Sequence, residues 1–216
     1  MDIAIIGAGN VGRALATSFT RAGHSVVVTS HDPEDAGAIA TATRARVATS
    51  NAEAAAGAAV VILATPFSSA QDIAAEVTDA TRGKIVVDAT NRMSFGAAGP
   101  EIDTSTSNAE ELAVLLPGAR VVKAFNTLFA SNQSDPVSGG VQLDGFVAGD
   151  DADAKSTVLA LVESIGLHPV DVGPLARSRQ LEGMAFLNIA VNMAEGGAWT
   201  SGWKLVGAPA KVAVAA

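Results

Sequence analysis

The stretch "IAIIGAGNVG", residues 3–12, decides the fold. Its first half is a short β-branched run of the kind that forms a buried strand. Its second half spells G-x-G-x-x-G, and Val11, Leu15 and Phe19 then recur at helical spacing. A glycine pattern between a strand and a helix is the dinucleotide-binding arrangement, and each glycine has its own task. Gly7 permits the tight turn, Gly9 lets the backbone approach a pyrophosphate, and Gly12 lets the helix pack close to the strand. Asn10 and Val11 then open a helix whose free N–H groups and partial positive charge suit phosphates.

Working outward, short apolar runs alternate with helical patterns, which implies a parallel sheet. Strands are expected at residues 3–7, 25–30, 44–48, 60–66, 83–91 and 119–128, the last together with its exit loop, with helices between most of them. Residues 92–108 are rich in Gly, Ser and Thr and read as a long loop. Beyond residue 139 the pattern changes to strand, helix and strand over residues 144–173. The stretch from 177 to about 195 reads as a helix apolar on most sides, buried in a core or in a dimer. The expected architecture is α/β: a Rossmann-like doubly wound parallel sheet over residues 1–140. A small C-terminal α/β extension over residues 141–216 would form part of the substrate pocket and a dimer contact.

Bulk properties exclude several classes. The chain has 216 residues and is 49% hydrophobic, with no apolar run long enough to cross a membrane. The opening segment carries Asp2 and no basic region, so it reads as a strand and not as a signal peptide. A cytoplasmic location follows as the expectation. The absence of cysteine excludes disulfides, thiolate zinc sites and a cysteine nucleophile. A net charge of −8 argues against nucleic acid as a partner. There is no tyrosine and there are three histidines, so acid–base catalysts are few. No His, Asp or Glu spacing suits a metal.

The end of the second strand sets the cofactor. "VVVTSHDPED", residues 26–35, places Thr29, Ser30 and His31 where a strand-end carboxylate would bind the ribose of NAD. Asp32 precedes Pro33, and that pairing marks a helix N-cap. With no strand-end acid, NADP is favoured, NAD remaining possible. Ser30 and His31 are the phosphate ligands, although a histidine carries less positive charge near neutrality than an arginine. Ligands of open parallel sheets bind at the carboxyl ends of strands. Thr65, Pro66, Phe67, Asn91 and Asn126 all sit at such ends, and the amide of Asn126 is suited to holding a ring. Lys123 lies inside a strand, where a charge needs a partner such as Glu182. Trp199 and Trp203 either line a pocket for a flat substrate or anchor the tail.

Several segments together resemble the coenzyme F420-dependent NADP oxidoreductases. They are GAGNVGRALATSFTRAGHSVVVTSHDPE, ATPF, VVDATN, LLPGARVVKAFNTLFA and GPLARSRQLEGMAFL, in the family's order and spanning nearly the whole chain. The same module is similar to the cytosolic part of the STEAP metalloreductases, which uses NADPH and a flavin. Family members often carry Ser-Arg where this chain has Ser30-His31. The resemblance implies hydride transfer between NADPH and a flavin-like or deazaflavin (F420) acceptor. It puts the loop holding Ala124, Asn126, Leu128 and Ala130 at the nicotinamide, with Asn126 and Leu128 at the reacting rings. It also implies a homodimer. Two other readings stand beside it: a reductase of a small imine or carbonyl compound, and a non-catalytic NADP-sensing module.

Overall fold

The computed structural model of the chain describes residues 1–96 and 99–207. The first βαβ unit follows the glycine motif. β1 (Asp2–Ile6) is buried at all but its first residue, and α1 (Asn10–Arg21) lays Leu15 and Phe19 on it. β2 (Ser25–Thr29) pairs parallel with β1, and α2 (Pro33–Thr43) follows. Asp32 caps α2, accepting from the Glu34 N–H at 2.9 Å, with Pro33 in the first helical turn. β3 (Arg46–Val47) is a two-residue edge strand, shorter than the five residues expected.

α3 (Asn51–Ala56) is a helix that the sequence reading lacks. Its signal was present: Ser50 accepts from the Glu53 N–H at 3.1 Å, as the serine of an S-x-x-E cap does. β4 (Val60–Leu63), α4 (Ala70–Val77) and β5 (Ile85–Asp88) complete the first half of the sheet. The long loop expected over 92–108 contains a hairpin instead, β6 (Met93–Gly96) against β7 (Gly99–Ile102). Its composition hides it, because a two-stranded ribbon at the surface needs little apolar patterning. Residues 97 and 98 of that expectation lie outside the described residues.

α5 (Asn108–Leu115) leads into β8 (Arg120–Lys123), and residues 124–128 form the exit loop expected after it. β8 stops for a local reason: Phe125 takes φ +66°, a left-handed turn that ends the strand. α6 (Ala130–Ser134) and the small hairpin β9 (Val137–Ser138) and β10 (Val141–Gln142) follow. β11 (Asp144–Gly149), α7 (Ala152–Ser164), β12 (His168–Gly173) and α8 (Ser178–Ala194) end the ordered elements.

Eight strands form one sheet in the order β3-β2-β1-β4-β5-β8-β11-β12. Every pairing is parallel except that of β8 with β11. β11 and β12, from the expected extension, continue this sheet; residues 208–216 lie outside the described residues. Alternate residues of β1 feed two cores. Ile3 and Ile5 pack with Leu15, Phe19 and Val158 on one face, Ala4 and Ile6 with Ile73 and Leu112 on the other. Both faces of a parallel sheet being covered explains the near-continuous apolar strands.

Within one chain α8 is only partly a core helix. It buries Ser178, Leu181, Glu182, Ala185, Asn188 and Asn192, and it exposes Leu187, Val191 and Met193. Its inner face packs Leu181 and Met184 on Phe146 and Ala148 of the sheet and otherwise meets a polar network and the segment around Ser201. Asn188 and Asn192 both bond Ser201, and Glu182 reaches the sheet's one buried lysine among the described residues.

Candidate nucleotide-binding cleft

The strand register brings Ile6, Thr29, Leu63, Asp88 and Lys123 into one row at the carboxyl edge of the sheet. The strand order reverses between β1 and β4, so a crevice opens there. Three adjoining cavities follow the edge. The outer one, about 810 Å³, is lined by Gly7, Gly9, Ser30, His31, Thr65 and Pro66 among others. The middle one, about 480 Å³, takes in Gly9, Asn10, Val11, Thr65, Pro66, Phe67 and Asn91. The inner slot, about 140 Å³, is lined by Val11, Asn91, Asn126, Leu128 and Phe129, with Ala185, Asn188 and Ile189 from α8.

The glycines act as their positions require. Gly7 has φ +112°, and a Cβ there would lie 2.4 Å from the Ala64 carbonyl oxygen. A Cβ on Gly12 would lie 1.9 Å from the Gly7 carbonyl oxygen, so the helix could not approach the strand. At Gly9 a Cβ meets no protein atom within 4 Å; it points into the open cleft. Gly9 is also the N-cap of α1, and no side chain caps that helix. Its first N–H groups therefore remain for an anion. These features fit a dinucleotide pyrophosphate.

At the far end, Ser30 and His31 leave β2 into the outer cavity. No Lys or Arg is among the residues lining that cavity, whereas Asp72 and Glu76 are. Sequence reasoning missed this acidic wall and the amide that braces it. Asn51 accepts from the Thr29 hydroxyl at 2.6 Å and donates to Glu76 at 2.7 Å. The wall belongs to α3 and α4, and nothing in one-dimensional spacing announces that these helices face β2.

Toward the inner slot, Phe67 is half-buried on the cavity wall, with the Arg92 guanidinium 5.8 Å from its ring centroid. Asn126 Nδ2 donates to Asn91 Oδ1 at 2.9 Å, and Asn91 Nδ2 donates to the Asn126 main-chain oxygen at 3.3 Å. The loop carrying Asn126 is held from below. Buried Gln133 donates to the carbonyls of Phe125 at 3.0 Å and Leu128 at 3.4 Å. Leu128 faces the slot. Ala124 is wholly buried in the core, and neither it nor Ala130, the first residue of α6, lines any of the three cavities. Neither tryptophan lines them. Trp199 packs edge-on against Phe129, and the Trp203 carbonyl accepts from the Asp144 N–H, so both anchor the chain end.

Behind the slot lies a buried ionic network. Lys123 Nζ donates to Asp88 at 2.7 Å, to Glu182 at 2.6 Å and to the Thr90 carbonyl at 2.7 Å. Two carboxylates share one ammonium. Burial holds the Glu182 carboxyl above the usual carboxylate range, Lys123 opposing and Asp88 adding to the shift. The network also grips the chain around Asn91: Asp88 accepts from the Thr90 N–H, and Glu182 from the Arg92 N–H. Among the described residues no group of three His, Asp or Glu side chains is placed to hold a metal. No described helix is long and apolar enough to cross a membrane.

A glycine-lined crevice at the switch point of an open parallel sheet, continued into a slot for a ring, defines a dinucleotide-dependent oxidoreductase. Residues 2–92 match the family model described as NADP oxidoreductase, coenzyme F420-dependent. The F420-dependent NADP reductase of Methanothermobacter marburgensis is 33% identical over 210 residues, covering 89% of this chain and 93% of that protein. That of Methanothermobacter thermautotrophicus is 34% identical, covering 89% and 90%. The metalloreductase STEAP3 of Rattus norvegicus is 35% identical over 83% of this chain, which spans only 35% of that protein's length. Among solved structures, a candidate F420-dependent NADP reductase from Arthrobacter sp. FB24 superposes with a TM-score of 0.85 at 30% identity, over 95% of this chain and 99% of that one. The chain belongs to the coenzyme F420-dependent NADP oxidoreductase family. A reductive aminase from Aspergillus terreus, at 20% identity and a TM-score of 0.67 over 90% of this chain and 63% of that one, shares the fold alone.

Proposed function

We propose that the protein transfers hydride between NADPH and a ring acceptor of the deazaflavin (F420) or flavin type. The observation that carries this reading is the continuity of the cleft. It runs from Ser30 and His31, past the uncapped start of α1, to a slot lined by Asn91, Asn126 and Leu128. The cofactor supplies the hydride chemistry; the chain binds, orients and keeps out water. Gly7 to Gly12 hold the pyrophosphate, and Ser30 and His31 take the ribose 2′-phosphate. Thr65, Pro66 and Phe67 bound the ribose and ring, and Leu128 with Ile189 gives the slot its apolar walls. Positioning of this kind is worth up to about 7–11 kcal/mol when two partners are held at reacting distance. That matches a slot without a proton donor among its lining side chains beyond amides and a threonine.

Residues 1–140 carry the dinucleotide in this reading, while α8 from residues 141–216 closes the ring end and pairs with a second copy of the chain. The cytoplasm is the compartment in which the substrates are met. The test follows NADPH absorbance with purified protein and a panel of coenzyme F420, FMN, FAD and riboflavin. NADPH-dependent reduction of F420 or of a flavin is the expected result. Tight NADPH binding with no reduction of any of them overturns the ring-acceptor assignment and leaves a small carbonyl or imine, or a sensing role.

A further inference from the structure

The outer cavity carries an unusual balance of charge. Five segments line it, and they can be taken in turn. The loop after β1 gives Gly7, Ala8 and Gly9, and the loop after β4 gives Thr65, Pro66 and Ser69, all uncharged. The loop between β3 and α3 gives Thr49, Ser50 and Asn51, also uncharged. α4 gives two carboxylates, Asp72 and Glu76. The loop after β2 gives Ser30 and His31. The next charges on that segment are Asp32, which caps α2, and Glu34 and Asp35 in the first turn of that helix. Glu53 of α3 is tied to the Thr49 N–H at 2.8 Å, and neither it nor Arg13 of α1 nor Arg46 of β3 lines the cavity. Among the described residues of this lining, the His31 imidazole is the one group that can be positive.

One of the acids is also held in place. Asn51 accepts from the Thr29 hydroxyl at 2.6 Å and donates to Glu76 at 2.7 Å, and Thr29 is the residue before Ser30. Glu76 is thus tethered to the strand end that would meet a ribose. Ser30 Oγ accepts from the Asp32 N–H at 3.2 Å, which leaves its O–H to donate. A neutral donor does not offset a phosphate monoester, which carries about 1.5–2 negative charges at neutral pH. Histidine is the side chain that gains or loses its charge near neutrality. An anion entering this cavity therefore meets a net attraction or a net repulsion according to one proton.

We propose that this protein chooses between a phosphorylated and an unphosphorylated dinucleotide by proton uptake. His31 holds the 2′-phosphate only in its protonated form, and the Asp72 and Glu76 carboxylates turn that phosphate away when His31 is neutral. The inference rests on the dinucleotide reading above and adds two specificity residues on α4 to it. Binding the phosphorylated form brings one proton from solvent onto the imidazole. Binding the form with a free 2′-hydroxyl brings none, because a hydroxyl needs no counter-charge. NADPH is therefore favoured on the acid side of neutrality, and NADH competes with it on the alkaline side.

The test is calorimetric binding of NADP+ and NAD+ to the full chain from about pH 6.5 to about pH 8.5, in paired buffers of different ionisation enthalpy. The NADP+-to-NAD+ affinity ratio is expected to fall about fivefold across this range. Near pH 7.5, NADP+ binding is expected to take up protons that NAD+ binding does not. Groups common to both complexes, the raised Glu182 carboxyl included, cancel in the ratio. His31→Gln is expected to abolish the slope and the difference in proton uptake. Asp72→Asn combined with Glu76→Gln is expected to raise the ratio about threefold at the alkaline end. A ratio in the native chain that stays flat with pH overturns the proposal. A slope that His31→Gln retains also overturns it, by assigning the proton to the phosphate itself. An unchanged ratio in the double variant overturns the part given to α4. A chain that binds neither dinucleotide at any pH would instead remove the dinucleotide reading itself.

Discussion

The last two glycines of the motif, Gly9 and Gly12, separate folding from binding. Gly12 has a carbonyl oxygen 1.9 Å from where a Cβ would stand, so Gly12→Ala must push α1 off β1. The expected loss is about 1–3 kcal/mol of stability, read from urea unfolding, together with weakened nucleotide binding. Gly9 has open space there and an ordinary extended backbone, φ −68° and ψ −171°. Gly9→Ala should change stability by no more than about 0.5 kcal/mol, yet its methyl group stands where the pyrophosphate would lie. Nucleotide affinity should fall about tenfold or more while the unfolding midpoint holds. A Gly9→Ala protein that binds NADPH normally would remove the phosphate from this helix start. At the other end of the ligand, His31 faces a cavity with Asp72 and Glu76 but no Arg or Lys in its lining. His31→Arg supplies a permanent charge and a forked donor, so the NADPH-to-NADH affinity ratio should rise about tenfold.

At the scale of elements, α8 shows what a hydropathy pattern conceals. Its sequence is apolar enough to suggest a core helix, but its buried face carries Glu182, Asn188 and Asn192. The pairing of Lys123 was legible, because a lone charge inside a buried strand demands a partner and Glu182 is an acid on an otherwise apolar helix. Asp88 as second partner was not, since only the pairing of β5 with β8 sets it beside Lys123. Removing the cation by Lys123→Met leaves two carboxylates buried without compensation, an expected loss of about 3–5 kcal/mol. The network also has a pH signature. The Glu182 carboxyl is raised from its ordinary value of 4.5, burial being the main cause. From that value upward, the native state keeps a proton that the unfolded chain has released. Its contribution is whole below the unfolded pKa and is lost as pH rises through the folded one. Glu182→Gln, neutral at every pH, should flatten this slope in urea midpoints measured from mildly acidic to mildly alkaline pH. An identical slope in the variant would assign it to other groups.

Across the whole molecule, what could be read in advance is what local sequence encodes. The glycine motif, the β-branched runs and the Asp32-Pro33 cap each act within a few residues, and from them the sheet and its carboxyl-edge crevice follow. The β6–β7 hairpin and the acidic wall at Asp72 and Glu76 depend on which elements meet in space, and short pieces of low apolar contrast do not announce that; α3 had only its local Ser50–Glu53 cap to announce it. The outer face of α8 is the remaining large-scale feature. Leu187 and Val191 stand one turn apart, each about half exposed at 52%, with Met193 at 47%. The opposite face of the helix is pinned by Glu182, Asn188 and Asn192, so these side chains cannot turn inward. The homodimer proposed above predicts that this outward apolar surface is its contact. A two-fold pairing of α8 on α8 would cover both copies with one patch. It would also brace Ile189, which lines the two inner cavities. The native chain should sediment as a dimer at micromolar concentration. Leu187→Glu combined with Val191→Glu should give a monomer of native circular dichroism that binds NADPH but reduces its acceptor more slowly. A native chain that sediments as a monomer, or a double variant that stays dimeric, would place the subunit contact elsewhere.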